Sequence, residues 1–150
     1  MTEQNTADVM DPTPRSFDIE LFIVHPSLDP ADISRALGME GHFSHRVGDQ
    51  RQTPKGTLLS GAYPDTRWRH SIRHTVTEQW FASEVDSFVG KLEPHTEFLT
   101  NLRATGGSAT LIIQFLGDGY LADNVPPTTL AKLGEIGLSL GIECFIDPQS

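Results

Sequence analysis

Hydrophobic and polar residues alternate with a period of two near the start of the chain, in residues 16–25. This period places every second side chain on one face and is typical of a β-strand. The second half of the segment is apolar on both faces, so we predict a strand that becomes fully buried before Pro26 ends it. Asp18 and Glu20 share one face, which we expect to be exposed to solvent. The opposite face carries Phe17, Ile19, Leu21 and Ile23.

Residues 67–76 alternate in the same way and predict a second strand. One face of this strand is polar and mostly basic, with Arg67, Arg69, Ser71 and Arg73. The other face is largely aromatic, and we expect its tryptophan to lie in the core. That face carries Trp68, His70, Ile72 and His74.

Two further strands follow later in the chain. Residues 108–116 are rich in β-branched and aromatic side chains and give the clearest strand pattern. A last strand is predicted around Ile142, Cys144 and Ile146. Because Cys144 lies among apolar residues there, we expect it to be a small buried hydrophobe, without a catalytic role.

Helices are predicted between these strands. Asp29 can cap the first one, Pro30 suits its first position, and Gly38 can end it. A second helix is predicted from Ser83, which with the acid three residues later forms a variant of the capping box. Pro94 interrupts that helix and a further piece continues to about residue 104. A third helical region is predicted from about residue 127.

The order β-α-loop-β-α-β-α-β predicts an α+β fold. We expect a two-layer sandwich with a mostly antiparallel sheet of four or five strands and helices packed on one face. Residues 1–15 are polar and predict a disordered N-terminal tail, so residues 16–150 form the single domain. Residues 39–66 have no sustained period, and a loop of this length is often functional.

Charge is distributed unevenly along the chain. The net charge is −9, whereas residues 42–74 carry +4, so the rest of the chain carries −13. A strongly acidic surface disfavours binding to nucleic acid or anionic membranes. No apolar run reaches the ~20 residues of a membrane helix. One cysteine and the lack of a signal peptide predict a cytoplasmic protein.

The basic segment is the best candidate for a binding site. Arginine forks suit carboxylates and phosphates, so an anion could be bound there. The alternative is that these arginines form ion pairs with the many acids of the chain, and we favour this slightly. The candidate residues are Arg46, Arg51, Arg67, Arg69 and Arg73.

The same segment contains histidines that could ligate a metal ion, although the pattern is weak. His42 and His45 are three residues apart. His70 and His74 share a strand face but lie roughly 13 Å apart at strand rise, which is too far for one ion. We interpret all of them as surface or half-buried histidines and predict no metal and no cofactor. The sequence has no nucleophile elbow, no phosphate-binding loop and no recognisable pair of carboxylates, so we predict no catalytic residue.

Several motifs resemble the bacterial family called domain of unknown function 4279. They are residues 29–38 (DPADISRALG), 46–49 (RVGD), Trp68, 92–94 (LEP) with the helix after it, 117–120 (GDGY) and the helix–strand end at 130–145. In the family a proline follows soon after the Leu-Gly of the first helix, where this chain has residues 39–42 (MEGH). The resemblance implies a fold class and no activity.

Two kinds of function remain open from the sequence. A non-catalytic binding or regulatory module is favoured because no catalytic constellation is present, and an immunity-like protein that masks a basic partner is one form of it. The alternative is an anion-binding protein or an enzyme that uses residues 42–74. The sequence does not identify the partner, and a protein partner fits the first function.

Overall fold

The structure is a computed structural model that describes residues 16–76, 80–117 and 120–145. The strands are Ser16–His25 (β1), Phe43–His45 (β2), Gln50–Gln52 (β3), Leu58–Ala62 (β4), Thr66–Thr75 (β5), Ser108–Leu116 (β6) and Ser139–Cys144 (β7). The α-helices are Pro30–Leu37 (α1), Phe81–Leu92 (α2), Thr96–Ala104 (α3) and Pro127–Ile136 (α4). A short 3-10 turn, Glu93–His95, joins α2 to α3 at Pro94, as the sequence predicts.

The sheet is built around β1. Five strands follow the order β2-β5-β1-β6-β7, and β1 is antiparallel to both of its neighbours. Strand β2 is antiparallel to β5, whereas β7 is parallel to β6. Strands β3 and β4 pair only with each other, as a separate two-stranded sheet. The predicted tail, residues 1–15, lies outside the described residues.

The hydrophobic core lies between the helices and one face of this sheet. The apolar face that alternation predicts for β1 is fully buried, and so is Trp68 of β5. The buried residues of that face are Phe17, Ile19, Leu21 and Ile23. The helices add Ile33, Val85, Leu99 and Leu133 to the same cluster. The predicted two-layer α+β sandwich with a mostly antiparallel sheet is therefore confirmed.

Helix α1 begins and ends at the residues that the sequence predicts. The Ala31 amide donates to Asp29 Oδ1 at 2.9 Å, and Pro30 occupies the first turn. Gly38 has a φ of 64°, in the left-handed region where glycine is strongly favoured. Local residue types therefore predict where α1 begins and ends, because residues of the same segment cap the free backbone groups at both ends.

The start of α2 differs from the prediction. The helix begins at Phe81, and Ser83 Oγ donates to the Trp80 carbonyl instead of accepting from a helix amide. The carboxylate of Asp123 accepts from the Ala82 amide at 3.1 Å and satisfies that helix end from a distant segment. The capping-box prediction was therefore wrong, because the partner that satisfies this amide comes from a distant part of the chain.

Two predictions of exposure were also wrong. Asp18 is only 8% exposed and Glu20 only 6%, although the face was expected to be solvated. Because β1 is the central strand, both carboxylates have sheet neighbours on either side. Cys144 is exposed instead of buried, because β7 lies at the edge of the sheet.

The segment predicted as a long loop contains three short strands, β2, β3 and β4. Its first residues pass directly over Trp68, whose indole N–H donates to Ser34 Oγ at 2.9 Å. A Cβ at Gly41 would overlap the Trp68 ring, so only glycine fits this close approach. Leu58 is the first residue of β4.

We expect Leu111→Ala or Ile113→Ala to lower the free energy of unfolding by about 2–4 kcal/mol, because both side chains are buried and leave a cavity. Leu111 is 0% exposed and Ile113 is 1% exposed. Leu58→Ala is the matched control, because Leu58 is 63% exposed and its truncation should cost less than about 0.5 kcal/mol. Urea denaturation measures all three, and equal small losses would contradict the assignment of β6 to the core.

Candidate functional site

The sheet face opposite the helices is lined by alternating charges. Register pairs Arg73 with Asp18 and Arg69 with Phe22 across β5 and β1. Since directly opposite residues point to the same side of a sheet, the arginines of β5 and the acids of β1 share this face. We call Asp18, Glu20, Arg69 and Arg73 the charged cluster.

Each arginine of the charged cluster is paired with its own carboxylate. Arg69 donates to Glu20 Oε2 at 2.6 Å. Arg73 donates through Nε to Asp18 Oδ1 at 2.9 Å and through a terminal nitrogen to Asp18 Oδ2 at 3.2 Å, which is the two-pronged geometry that suits arginine. The Arg69 guanidinium also lies 3.9 Å above the centre of the Phe22 ring.

Burial dominates the electrostatics of Glu20. Desolvation raises the pKa of its carboxyl group above the ordinary value of 4.5, and the nearby Arg69 opposes this rise. The charges of Glu143 and Asp18 raise the pKa further. The pKa of Glu20 is raised overall, so burial disfavours the ionised carboxylate, and Arg69 offsets part of that cost.

The other predicted anion ligands lie elsewhere. Arg67 donates to Asp65 at 3.1 Å, and Arg46 lies 3.4 Å from Asp29. Arg51 reaches the Ser60 carbonyl at 3.5 Å within the β3–β4 hairpin. The structure therefore brings Arg69 and Arg73 together in one cluster, each neutralised by an acid, and does not gather the five arginines around one point.

The histidines are divided among three places. The rings of His42 and His70 stack with centres 4.7 Å apart. Their Nδ1 atoms are used by the main chain, since His42 accepts from the Ser71 amide and His70 hydrogen-bonds the Glu40 carbonyl. His74 lies 3.0 Å from Glu84.

A metal site is not formed by these residues. In the described residues, no group of three His, Cys, Asp or Glu side chains is arranged to hold an ion. A cleft of about 390 Å³ beside His70 is lined by Leu37, Gly38, Met39, Glu40, Ile72, Phe88 and Lys91. Its lining offers one imidazole, from His70, and one carboxylate, from Glu40, which is fewer than the three protein ligands of a zinc site.

His45 lies at the base of the β3–β4 hairpin. Its ring stacks on the Tyr63 ring with centres 3.7 Å apart and an angle of 5° between the planes. Its Nε2 atom is buried without a hydrogen bond, 3.9 Å from Asp65. Burial, and then Arg67, lower the pKa of His45, so the ring is neutral at physiological pH and packs as an aromatic.

The hairpin itself, residues 49–63, projects from the main sheet, and we call it the hairpin arm. All residues of β3 and β4 are exposed. Tyr63 fastens the two strands, because its hydroxyl accepts from the Gln52 amide at 3.2 Å. Register shifts between Gln50 and Gln52, so Arg51 lies in an irregular position of the kind that re-aims a side chain.

The apolar and basic residues of the hairpin arm are open to solvent. Leu58 is 63% exposed and Leu59 is 36% exposed, and Phe43 on the neighbouring β2 is 53% exposed. Lys55 lies in the turn between β3 and β4 and is exposed. One sequence signal could have identified these residues: basic and apolar side chains occur together in a segment without a regular period.

The described elements define a two-layer α+β sandwich with one sheet face covered by helices and the other charged. Within that class, the family described as Domain of unknown function (DUF4279) matches residues 15–145, so the chain belongs to this family. The resemblance seen in the sequence is therefore confirmed. No curated protein and no solved structure matches the chain. Across the described ranges, no helix has the length and apolar character needed to cross a membrane.

We expect Arg69→Gln to destabilise the protein by about 1–3 kcal/mol at neutral pH, because it leaves the buried Glu20 carboxylate without its partner. The double variant Glu20→Gln with Arg69→Gln should recover most of this loss. Arg35→Gln is the matched control, since its pair with Asp32 is exposed and should be worth less than about 0.5 kcal/mol.

The pH dependence of the Arg69→Gln variant follows from the raised pKa of Glu20. A carboxyl group whose pKa is higher in the folded state than in the unfolded state binds more protons when folded, so stability falls as pH rises above 4.5. Removing Arg69 takes away the charge that lowers this pKa and raises it further, so the loss in Arg69→Gln should be larger at pH 7 than at pH 4. Thermal unfolding at both pH values measures it, and an equal loss at both would show that Glu20 does not cause it.

Proposed function

We propose that this chain is a non-catalytic protein-binding module whose contact surface is the hairpin arm. The observation that carries the proposal is that every residue of β3 and β4 is exposed, Leu58 and Leu59 among them. An isolated two-stranded hairpin is marginally stable in water and normally needs another surface to pack against. A partner that covers the arm supplies that surface.

The arm is shaped before it meets a partner. Tyr63 bridges its two strands, and its turn is closed by the Thr57 amide, which donates to the Thr53 side chain at 3.0 Å. The stacking of His45 on Tyr63 fixes the base of the arm to the main sheet. Preorganisation of this kind lowers the entropy lost on binding.

The residues of the arm indicate the chemistry of the partner. Arg51 and Lys55 supply positive charge next to the exposed leucines, in a chain whose net charge is −9. Neither cation forms an ion pair within the described part of the chain. An acidic partner with an apolar recess matches this combination, because its carboxylates would pair with the two cations at short range and apolar contact would supply affinity.

The paired state of the charged cluster supports this proposal over the alternative, an anion-binding protein or enzyme that uses residues 42–74. An anion that approached Arg69 or Arg73 would compete with the bound carboxylates of Glu20 and Asp18. Those carboxylates are nearly buried, so releasing their arginines would leave two costly charges. The arginines of β5 are better explained as structural.

We expect a photo-crosslinking amino acid that replaces Leu58 to join the protein covalently to one partner, as a single discrete adduct, when the cells that naturally produce the protein are irradiated. The arm is the proposed contact surface, so the adduct should be lost when Arg51→Gln and Lys55→Gln are added. The same crosslinker at Thr100, an exposed position on α3, is the matched control and should give no such adduct. Mass spectrometry identifies the partner and the crosslinked peptide.

The acidic character of the crosslinked peptide is the decisive readout. A peptide rich in Asp and Glu, lost with the two charge changes, supports the proposal. The absence of an adduct at position 58, or the same adducts at positions 58 and 100, would contradict it.

We expect phosphate or sulfate to leave the melting temperature of the wild-type protein nearly unchanged, because the arginines of β5 are already paired. Replacing Arg67, Arg69 and Arg73 together by Gln should lower the melting temperature by about 5 °C or more without any ligand, since three acids lose their partners. A rise in the wild-type melting temperature with phosphate, absent in the triple variant, would favour the anion-binding alternative.

A further inference from the structure

We propose that β7 pairs antiparallel with β7 of a second copy of this chain, so that the two five-stranded sheets join edge to edge across a two-fold axis. Strand β7 is one edge of the sheet, and within the described residues its outer side has no strand partner. An open edge presents unpaired backbone amides and carbonyls, which are a template for another strand. This inference concerns a different surface from the hairpin arm.

The two edges of the sheet differ in how they are protected. Strand β2, at the opposite edge, is only three residues long, and the chain leaves it for the hairpin arm. Strand β7 is six residues long and contains neither proline nor lysine. Proteins commonly blunt an open edge with short strands, proline or charged side chains, and the one such feature of β7 is Glu143.

Several apolar side chains are exposed at the β7 edge. Ile142 is 64% exposed and Phe145 is 63% exposed. Leu130 of α4, the helix that packs against β7, is 47% exposed. Pairing with a second strand would bury part of this apolar surface while it satisfies the backbone groups of the edge.

The sequence of β7 is complementary to itself in the antiparallel direction. Opposite residues in an antiparallel pair share a face, so a register can place Ile142 against Ile142 on the two-fold axis. Leu140 then faces Cys144 of the other copy, and Gly141 faces Glu143. The only charged side chain of the strand therefore meets a glycine and no second carboxylate.

Gly141 has no side chain of its own to meet the Glu143 carboxylate of the other copy in this register. Gly141 lies on the charged face between Ile112 and Thr110, whose side chains would be 3.3 Å from a Cβ built there. Glu143 already accepts a hydrogen bond from Gln114 at 2.7 Å, so its carboxylate is oriented on the same face. A register centred on residue 143 would oppose the two Glu143 carboxylates and is disfavoured.

A second copy is preferred to an unrelated peptide because the match is reciprocal. In the register centred on Ile142, every pairing away from the axis occurs twice, related by the axis, as a closed two-fold interface requires. Pairing through this edge also ends assembly at two chains, because the other edge of each sheet is the short β2. In this arrangement, the apolar side chains of both β7 strands lie on the sheet face that the helices cover.

The first test measures mass in solution by sedimentation equilibrium. Wild type should be a dimer, and Ile142→Lys should weaken association at least about tenfold, because it places two ammonium groups together on the axis. Since Ile142 is mostly exposed in one chain, this variant should keep its fold and circular dichroism spectrum. Leu58→Lys is the matched control and should remain dimeric. A monomeric wild type, or an unchanged mass for Ile142→Lys, would overturn the proposal.

The second test reads the register by disulfide formation. In Leu140→Cys, the new thiol faces Cys144 of the other copy, and mild oxidation should give a covalent dimer that non-reducing gels detect. Within one chain these two positions are four residues apart along a strand, about 13 Å, so they cannot form a disulfide together. Wild type, where Cys144 faces Leu140, should stay uncrosslinked. Efficient crosslinking of wild type, or no crosslinking of Leu140→Cys, would reject this register.

Discussion

Two carboxylates on the central strand of the sheet set the main constraint on this molecule. Asp18 and Glu20 lie on β1 with strands on both sides, and an unpaired charge in such a place is costly. Two arginines of β5 meet this requirement, at 2.6 Å for Glu20 and 2.9 Å for Asp18. The arginines of β5 are thus explained by the acids of β1, because the strand order places the two strands side by side.

The same constraint explains why one sheet face can remain without helices. The helices cover only the side on which β1 is apolar, where the core residues reach 0% exposure. On the other side, the ion pairs and the contact of Arg69 with Phe22 cover the sheet with the chain's own side chains. A polar sheet face of this kind resists non-specific association.

Local signals in the sequence predict much of the fold. The strand β1 and the helix α1 are found where alternation, the Asp29 cap and Gly38 place them, because each of these is decided by neighbouring residues. The misassigned features all depend on distant partners. Asp123 caps α2 from 41 residues away, and the exposure of Cys144 follows from the position of β7 in the sheet order. Sequence reasoning found the arginines of the candidate site but placed their acid partners in solvent.

The hairpin arm is joined to the rest of the protein at one narrow base, where Tyr63 stacks on His45 and the Gly48 amide donates to the Tyr63 carbonyl at 3.0 Å. Beyond that base, β3 and β4 contribute no residue to the hydrophobic core. Changes of length or composition in the arm therefore cost the core little, because longer surface loops add only a small closure entropy. The tip of this hairpin can vary in sequence among proteins of this fold while the sandwich is kept, and the partner that we propose for it can vary with it.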